Sequence, residues 1–453
     1  MYAGCDRMVV QHSKQVMMKT KNTIYIVAAI FLALGSALHA QVVGKASSGP
    51  FLLKNAEIHT ITKGTITGDL LVADGKIAAV GTNLSTPAGA QTIDCTGKKL
   101  YPGMIDGGTF LGTAEVNSIS LTIDNNEIGN LVPHMEALTA VNPNAVAIPV
   151  TRVSGVTTVI TSPTSGLFPG KSALINLFGY NPEQMYAGFK AEVLIFPSNA
   201  RRGRFFRQSE EEQKKAYEKS LKDLNDIWEA ASTYYKLDSI AMAGGKKFHE
   251  DYQPEMKALS EVVAGKMPLL VEVNRKEDIQ AALKWLKERP NVKAILSGVA
   301  EGFKIADEIA KSKYPAIVGP ILALPGREHD AYDVSYTNAS VLHKAGVKIA
   351  LRTGETENVR NLPFHAGFAA AYGLGTDEAF KAVSINPAEI FGLEKSLGSL
   401  EAGKTANLFI CNGDPFEPST TIEQVFINGW KIPMNSRHTL LYDEFLERTP
   451  GVK

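Results

Sequence analysis

Cysteine is scarce in this chain: three in 453 residues, Cys5, Cys95 and Cys411. So few exclude a fold stapled by a framework of disulfides. Net charge is missing too, with 47 Lys and Arg against 47 Asp and Glu. A neutral chain has no overall pull on nucleic acid or anionic membrane, so neither is expected as a partner. The one basic cluster, Arg201, Arg202, Arg204 and Arg207, reads as a solvated loop ahead of a charged helix. No repeat or low-complexity tract is present, and no Gly-x-Ser-x-Gly elbow marks a serine nucleophile. Gly170-Lys171-Ser172 has the tail of a phosphate loop, but Ser165 stands where its first glycine is needed, so the likeness is coincidental.

Turning to what is there, Lys19 and Lys21 precede an apolar run, Ile24 to Leu34, followed by Gly35, Ser36, Ala37 and Ala40. Positive, apolar, then small is the order of a secretory signal peptide. The run falls short of the roughly 20 residues that span a bilayer. Residues 1–40 are therefore predicted to be a signal peptide with an upstream extension, Met18 serving as an alternative start, and Gln41 as the first mature residue. The mature chain is expected in the periplasm or medium, with no membrane attachment. Cleavage removes Cys5, leaving Cys95 and Cys411, for which a disulfide and two separate buried thiols both stay open. The thiols are favoured, because nothing in the sequence fixes the distance between them.

The mature chain reads as β, then alternating β and α, then β. Phe51 to Ile61, Gly68 to Val80 and Gln91 to Asp94 have strand composition, with Asp74-Gly75 as a hairpin turn. Ala406 to Cys411 and Gln424 to Ile427 repeat the pattern, turning at Asn428-Gly429. In between, strands are predicted at Val146–Val150, Thr157–Ile160, Leu269–Val273, Ala294–Leu296, Ala316–Val318 and Lys348–Leu351. Helices are predicted at Lys276–Arg289, Gly302–Ser312, Ser335–Ala345 and Asp377–Val383, and a charged helical insertion occupies residues 209–262. Short apolar strands separated by helices imply a parallel sheet with crossovers. The expected fold class is α/β: a TIM-like (β/α)8 barrel over residues 101–397, plus a small β-sandwich built from both chain ends, 41–100 and 398–435. A tail, 436–453, follows.

Ordered strings within this plan resemble the amidohydrolase superfamily. Val72-Ala73-Asp74-Gly75-Lys76-Ile77 followed by Tyr101-Pro102-Gly103-Met104-Ile105-Asp106 is similar to that superfamily's approach to the barrel. Ser384-Ile385-Asn386-Pro387-Ala388, Gly398-Ser399-Leu400-Glu401-Ala402-Gly403-Lys404, Ala406-Asn407-Leu408 and Gly413-Asp414-Pro415 resemble its closing pattern. Gly155-Val156-Thr157-Thr158-Val159 and Asn361-Leu362-Pro363-Phe364-His365-Ala366 are similar to its imidazolonepropionase-like branch. The resemblance implies divalent metal held at the barrel mouth by imidazoles and carboxylates, activating a water. The positions it implies for those ligands carry Gly108 and Phe110 after the first strand, Asn274 after the fifth, Ser297 after the sixth and Gly354 after the eighth. Asn176 stands where the branch often carries a lysine. Gly and Phe offer no donor, and neutral Asn or Ser oxygens replace imidazole poorly on zinc.

The mature chain's histidines, His59, His134, His249, His329, His343, His365 and His438, never come within four residues of each other, so no local zinc motif replaces the lost one. Asp106, Glu272, Arg275, Glu301, Arg352 and Glu355 are the pocket candidates. The acids are expected to pair with Arg275 and Arg352, Asp106 to hydrogen-bond the end of the first strand, and His365 to be structural. The leading expectation is an exported superfamily member degenerate in metal-dependent hydrolysis, binding a small molecule or serving as a partner to an active relative, or forming a homodimer. No cofactor is expected on that reading. The rival is a hydrolase of C–N bonds with a site rebuilt around Glu272, Glu301 and Glu355, and only there does zinc or another divalent ion enter. A third is an assembly protein whose interface lies on the inserted helices, Glu210 to Tyr235.

Overall fold

The computed structural model describes residues 45–116, 118–199, 209–245 and 252–448. The expected signal peptide, Cys5, the basic cluster Arg201, Arg202, Arg204 and Arg207, and His249 lie outside the described residues. Residues 45–439 form one compact unit. Among the described residues no helix is long and apolar enough to cross a membrane.

Five strands come first: β1 (Phe51–His59), β2 (Thr65–Ala73), β3 (Lys76–Gly81), β4 (Gln91–Asp94) and β5 (Lys99–Pro102). The β2–β3 turn puts both Asp74 (φ 50°) and Gly75 (φ 76°) in left-handed conformation, as a tight hairpin turn demands.

The chain then builds the barrel from β6 (Met104–Thr109), β7 (Val156–Thr161), β8 (Gly170–Asn176), β9 (Tyr186–Ile195), β10 (Leu269–Val273), β11 (Ala294–Gly298), β12 (Ala316–Val318) and β13 (Ile349–Leu351). These eight lie side by side in chain order. The circle closes where the Gly354 N–H donates to the Gly108 carbonyl (3.0 Å) and the Phe110 N–H to the Glu355 carbonyl (3.0 Å). Ile105, Ile160, Leu174, Val193, Leu270 and Ile295 belong to one buried cluster that fills the lumen. The outward residues of the same strands pack beneath the helices, so the parallel strands are buried on both faces.

Two features depart from expectation. Val146 to Val150 is not a strand: Ala147–Arg152 is helical. A short apolar run carries no period of its own, and Pro149 sits in the first turn, where a missing N–H breaks no helical bond. The third and fourth strands are instead β8 and β9, and β8 runs antiparallel to both its neighbours. Gly170-Lys171-Ser172 opens β8 and so belongs to a strand, not to a phosphate loop.

The predicted insertion is the helix Glu210–Ala243, started by a capping box between Ser209 and Glu212, and then Pro254–Val263. Its Leu224, Trp228, Ala231 and Tyr234, three or four residues apart, form the buried stripe. Trp228 meets Trp285 of the helix Lys276–Lys287 edge-on, with ring centroids 5.1 Å apart.

The last strands, β14 (Leu408–Cys411), β15 (Ile422–Ile427) and β16 (Trp430–Ile432), return to the first sheet. Its order is β16-β15-β14-β5-β1-β2-β3, with β4 branching from β1. Its core includes Phe51, Leu53, Ile58, Leu100, Leu408 and Phe426. The Asn428-Gly429 turn is left-handed at both residues and abuts the Asp74-Gly75 turn: a Cβ on Gly429 would stand 2.6 Å from Gly75 Cα. Cys95 and Cys411 are both buried and free, the favoured of the two thiol readings. The tail carries the helix Arg437–Arg448.

Candidate functional site

Because strand side chains alternate, lumen-facing Leu270, Ile295 and Ala350 place Glu272, Ser297 and Arg352, two residues further on, at the C-terminal mouth of the barrel. These three meet there. The Arg352 guanidinium grips Glu272 with both terminal nitrogens, at 2.5 and 2.8 Å, and Nη1 also donates to Ser297 Oγ at 2.8 Å. A fork-to-fork guanidinium–carboxylate pair is both strong and geometrically exacting. It is largely withdrawn from water, the side chains being 15% and 25% exposed.

Gly108 faces the same guanidinium stem. A Cβ there would lie 3.0 Å from Arg352 Cδ and 3.5 Å from Nη1. Backbone strain is not the reason for this glycine, since its φ is not left-handed. Any side chain at 108 competes with Arg352 for one volume.

Asp106 is completely buried and ties the first strand to the eighth. Its carboxylate accepts from the Gly108 N–H (3.0 Å), the Thr353 N–H (3.2 Å) and the Thr353 hydroxyl (2.6 Å). Burial lifts its pKa to about 7, although those bonds and the Arg352 charge pull the other way.

The remaining candidates are dispersed. Glu301 is buried in the loop after β11, where Arg327 holds it bidentately (Nη2 at 2.7 Å) and Lys304 stands at 3.2 Å. Burial would raise its pKa, but Arg327, the Lys276 N–H and Lys304 outweigh burial and hold it at about 2. Arg275, expected as a partner for these acids, instead occupies the N-cap of Lys276–Lys287; Arg327 takes that part. Nothing in the sequence pointed to Arg327, 26 residues along the chain from Glu301. Glu355 is exposed and joins the site only through its backbone carbonyl. Asn274 lies over the backbone of Gly298, and its carbonyl accepts from the Glu301 N–H. Phe110 and Gly354 contribute backbone bonds that close the barrel.

Asn176 is not at the mouth. Ending the antiparallel strand β8, it lies at the opposite end of the barrel, bonded to Thr158 Oγ1 (3.1 Å), Asn407 Nδ2 (2.8 Å) and Asn428 Oδ1 (3.3 Å). His365 is buried and accepts from the Ile321 N–H at 3.2 Å. Burial depresses its pKa to about 4, so the ring is neutral. A buried acid that sequence reading did not single out is Glu192 on β9. Neither of its oxygens has a hydrogen-bond partner, and burial raises its pKa well above the usual range.

Among the described residues no group of three or more His, Cys, Asp or Glu is placed to hold a metal ion. The positions assigned to ligands carry two glycines, a phenylalanine, a serine and two asparagines, and a guanidinium lies among those at the mouth. That donor set does not fit zinc.

The chain thus forms a nearly closed eight-stranded barrel with polar residues at the strand C-termini, beside a sheet built from both chain ends. The model of the amidohydrolase family matches residues 326–431. A D-hydantoinase of Geobacillus stearothermophilus is 48% identical over 60 residues, 13% of this chain and only 12% of that enzyme. A dihydroorotase of Pelotomaculum thermopropionicum is 21% identical over 415 residues, covering 77% of this chain and 86% of that one. The solved structure of an amidohydrolase from Thermotoga maritima MSB8 is similar with a TM-score of 0.75 at 27% identity, covering 85% of this chain and 100% of that one. The chain is thus similar to the amidohydrolase family in sequence over residues 326–431 and to a solved amidohydrolase in fold over 85% of its length.

Proposed function

We propose that this chain is an exported amidohydrolase-superfamily protein that has given up metal-dependent hydrolysis, and that its barrel serves as a ligand-binding or partner subunit to an active relative. The observation that carries this reading is the Arg352–Glu272–Ser297 cluster packed against Gly108. A guanidinium paired with Glu272 stands among the positions where the resemblance calls for metal ligands, and a Cβ at 108 would lie 3.0 Å from its Cδ. The rival reading, a C–N hydrolase rebuilt on Glu272, Glu301 and Glu355, gains nothing from their placement. Two are committed to different arginines and the third is exposed.

Elemental analysis of protein purified from a host supplied with zinc, manganese and iron tests the proposal. The expected content is below roughly a tenth of an equivalent, since real structural and catalytic sites bind far too tightly to be found so empty. About one equivalent, together with metal-dependent opening of hydantoin or dihydroorotate, overturns it. Export is tested separately by sequencing the N-terminus of the secreted chain, which is expected to begin at Gln41.

A further inference from the structure

A cavity of about 410 Å³ opens beside the barrel mouth, separate from the Arg352 cluster. Its walls are the segment leaving β6, the start of the helix Ala147–Arg152, the segment leaving β13 and the first turn of Arg437–Arg448. That volume lies within the range of small-molecule sites.

One wall is apolar: Ala114, Val116, Ala145, Val146 and Val150. The other side presents Arg360, Arg437 and His438. Two acids line the cavity as well: Glu115, which accepts from Asn142 Nδ2 and keeps its charge, and Glu357, which has no side-chain partner. Arg360 donates to Asn358 Oδ1 at 3.2 Å and to the Glu357 carbonyl at 3.5 Å. Neither Arg360 nor Arg437 forms an ion pair with a described carboxylate. Elsewhere on this face the arginines are committed, Arg352 to Glu272 and Arg327 to Glu301 and Glu277. Arg437 and His438 also open their helix, the end where unpaired N–H groups leave partial positive charge.

We propose that this cavity binds a small organic carboxylate with a short aliphatic body. Arg360 and Arg437 take the carboxylate, and the Val116–Val146–Val150 wall takes the hydrocarbon. The pairing follows from the chemistry of the two walls: guanidinium matches carboxylate, and the alanines and valines offer no partner to a polar body. The inference is independent of whether the barrel hydrolyses anything.

The test is calorimetric titration of the full mature chain at neutral pH and about 150 mM salt, where unspecific charge attraction is screened. The probes are 4-methylpentanoate, its uncharged analogue 4-methylpentanamide, and acetate. The expected result is a Kd near or below about 1 mM for 4-methylpentanoate, with the amide and acetate each at least about tenfold weaker. The Arg360→Gln/Arg437→Gln variant, altered at one half-buried and one exposed position, is expected to keep its melting temperature and lose at least about tenfold in affinity. Equal binding of the amide, full retention of affinity by the variant, or no heat from 4-methylpentanoate up to about 20 mM overturns the proposal.

Discussion

Gly108 and Arg352 share one volume, so their substitutions are expected to be strongly non-additive. A histidine at 108 puts its Cβ 3.0 Å from Arg352 Cδ, so the guanidinium stem has to give way. Arg352 cannot give way cheaply, because its far end is held by Glu272 and Ser297. Gly108→His is therefore expected to push the guanidinium off Glu272 and leave that carboxylate without its partner. Breaking a fully buried pair from one side costs roughly 3–5 kcal/mol, and an exposed pair under about 1. With 15% and 25% of the side chains exposed, about 2–3 kcal/mol is the expected loss. Arg352→Ala strands the same carboxylate and is expected to cost about the same. The double variant strands it only once, so its loss should also be about 2–3 kcal/mol instead of the additive 4–6, a coupling of about 2–3. Urea midpoints at constant slope measure all four corners of the cycle. Losses that add to within about 0.5 kcal/mol would refute the shared-volume argument.

Three further outcomes are expected. Asp106 keeps its proton in the folded chain up to about pH 7 but releases it near the usual carboxyl value when unfolded, so its contribution to stability is full below about pH 4 and is lost as pH rises through 7. Asp106→Asn retains an acceptor for the two N–H groups without the titration. Urea midpoints at pH 5, 6.5 and 8 should show it gaining on the parent, by at most about 1.4 kcal/mol per pH unit, and a pH-independent difference would contradict the assignment. Arg327→Gln leaves Glu301 with Lys304 and one N–H, and is expected to cost about 1–3 kcal/mol at neutral pH. Chymotrypsin should then cut sooner near Leu324, a residue 90% exposed; unchanged midpoint and cleavage would show that the pair holds nothing. Burial pushes the Cys95 and Cys411 thiols up to about 11, so neither should react with a thiol reagent in the native chain at pH 8. In denaturant two thiols should appear if residues 1–40 are removed and three if they are retained, and rapid native labelling would contradict the burial.

The hairpins at Asp74-Gly75 and Asn428-Gly429 were legible because left-handed backbone at two successive residues admits few sequences. The later parallel strands were legible as short β-branched runs between amphipathic helices. What escaped were β8 and β9: neither Gly170–Asn176 nor Tyr186–Ile195 was expected as a strand, and nothing local to Gly170–Asn176 shows that it runs antiparallel to its neighbours. That blind spot moved Asn176 from the mouth to the floor. The same limit applies to the site. Gly108 reads as a lost ligand from its position alone, whereas its conflict with Arg352 depends on two strands, 244 residues apart in the chain, closing one circle. Likewise, Arg275 and Arg327 are equivalent as charges, and only the fold decides which of them reaches Glu301.

The sheet built from both chain ends has a kinetic consequence. β5 sits between β1 and β14, and Lys99 pairs with Cys411. Until some three hundred residues have followed it, β5 has one side with no strand to bond, and Leu100 and Tyr101 wait beside an open edge. Pairings this distant in sequence are the slow ones to form, because the closure entropy of the loop comes before its reward. The small sheet therefore cannot complete until β14, some three hundred residues on, reaches β5.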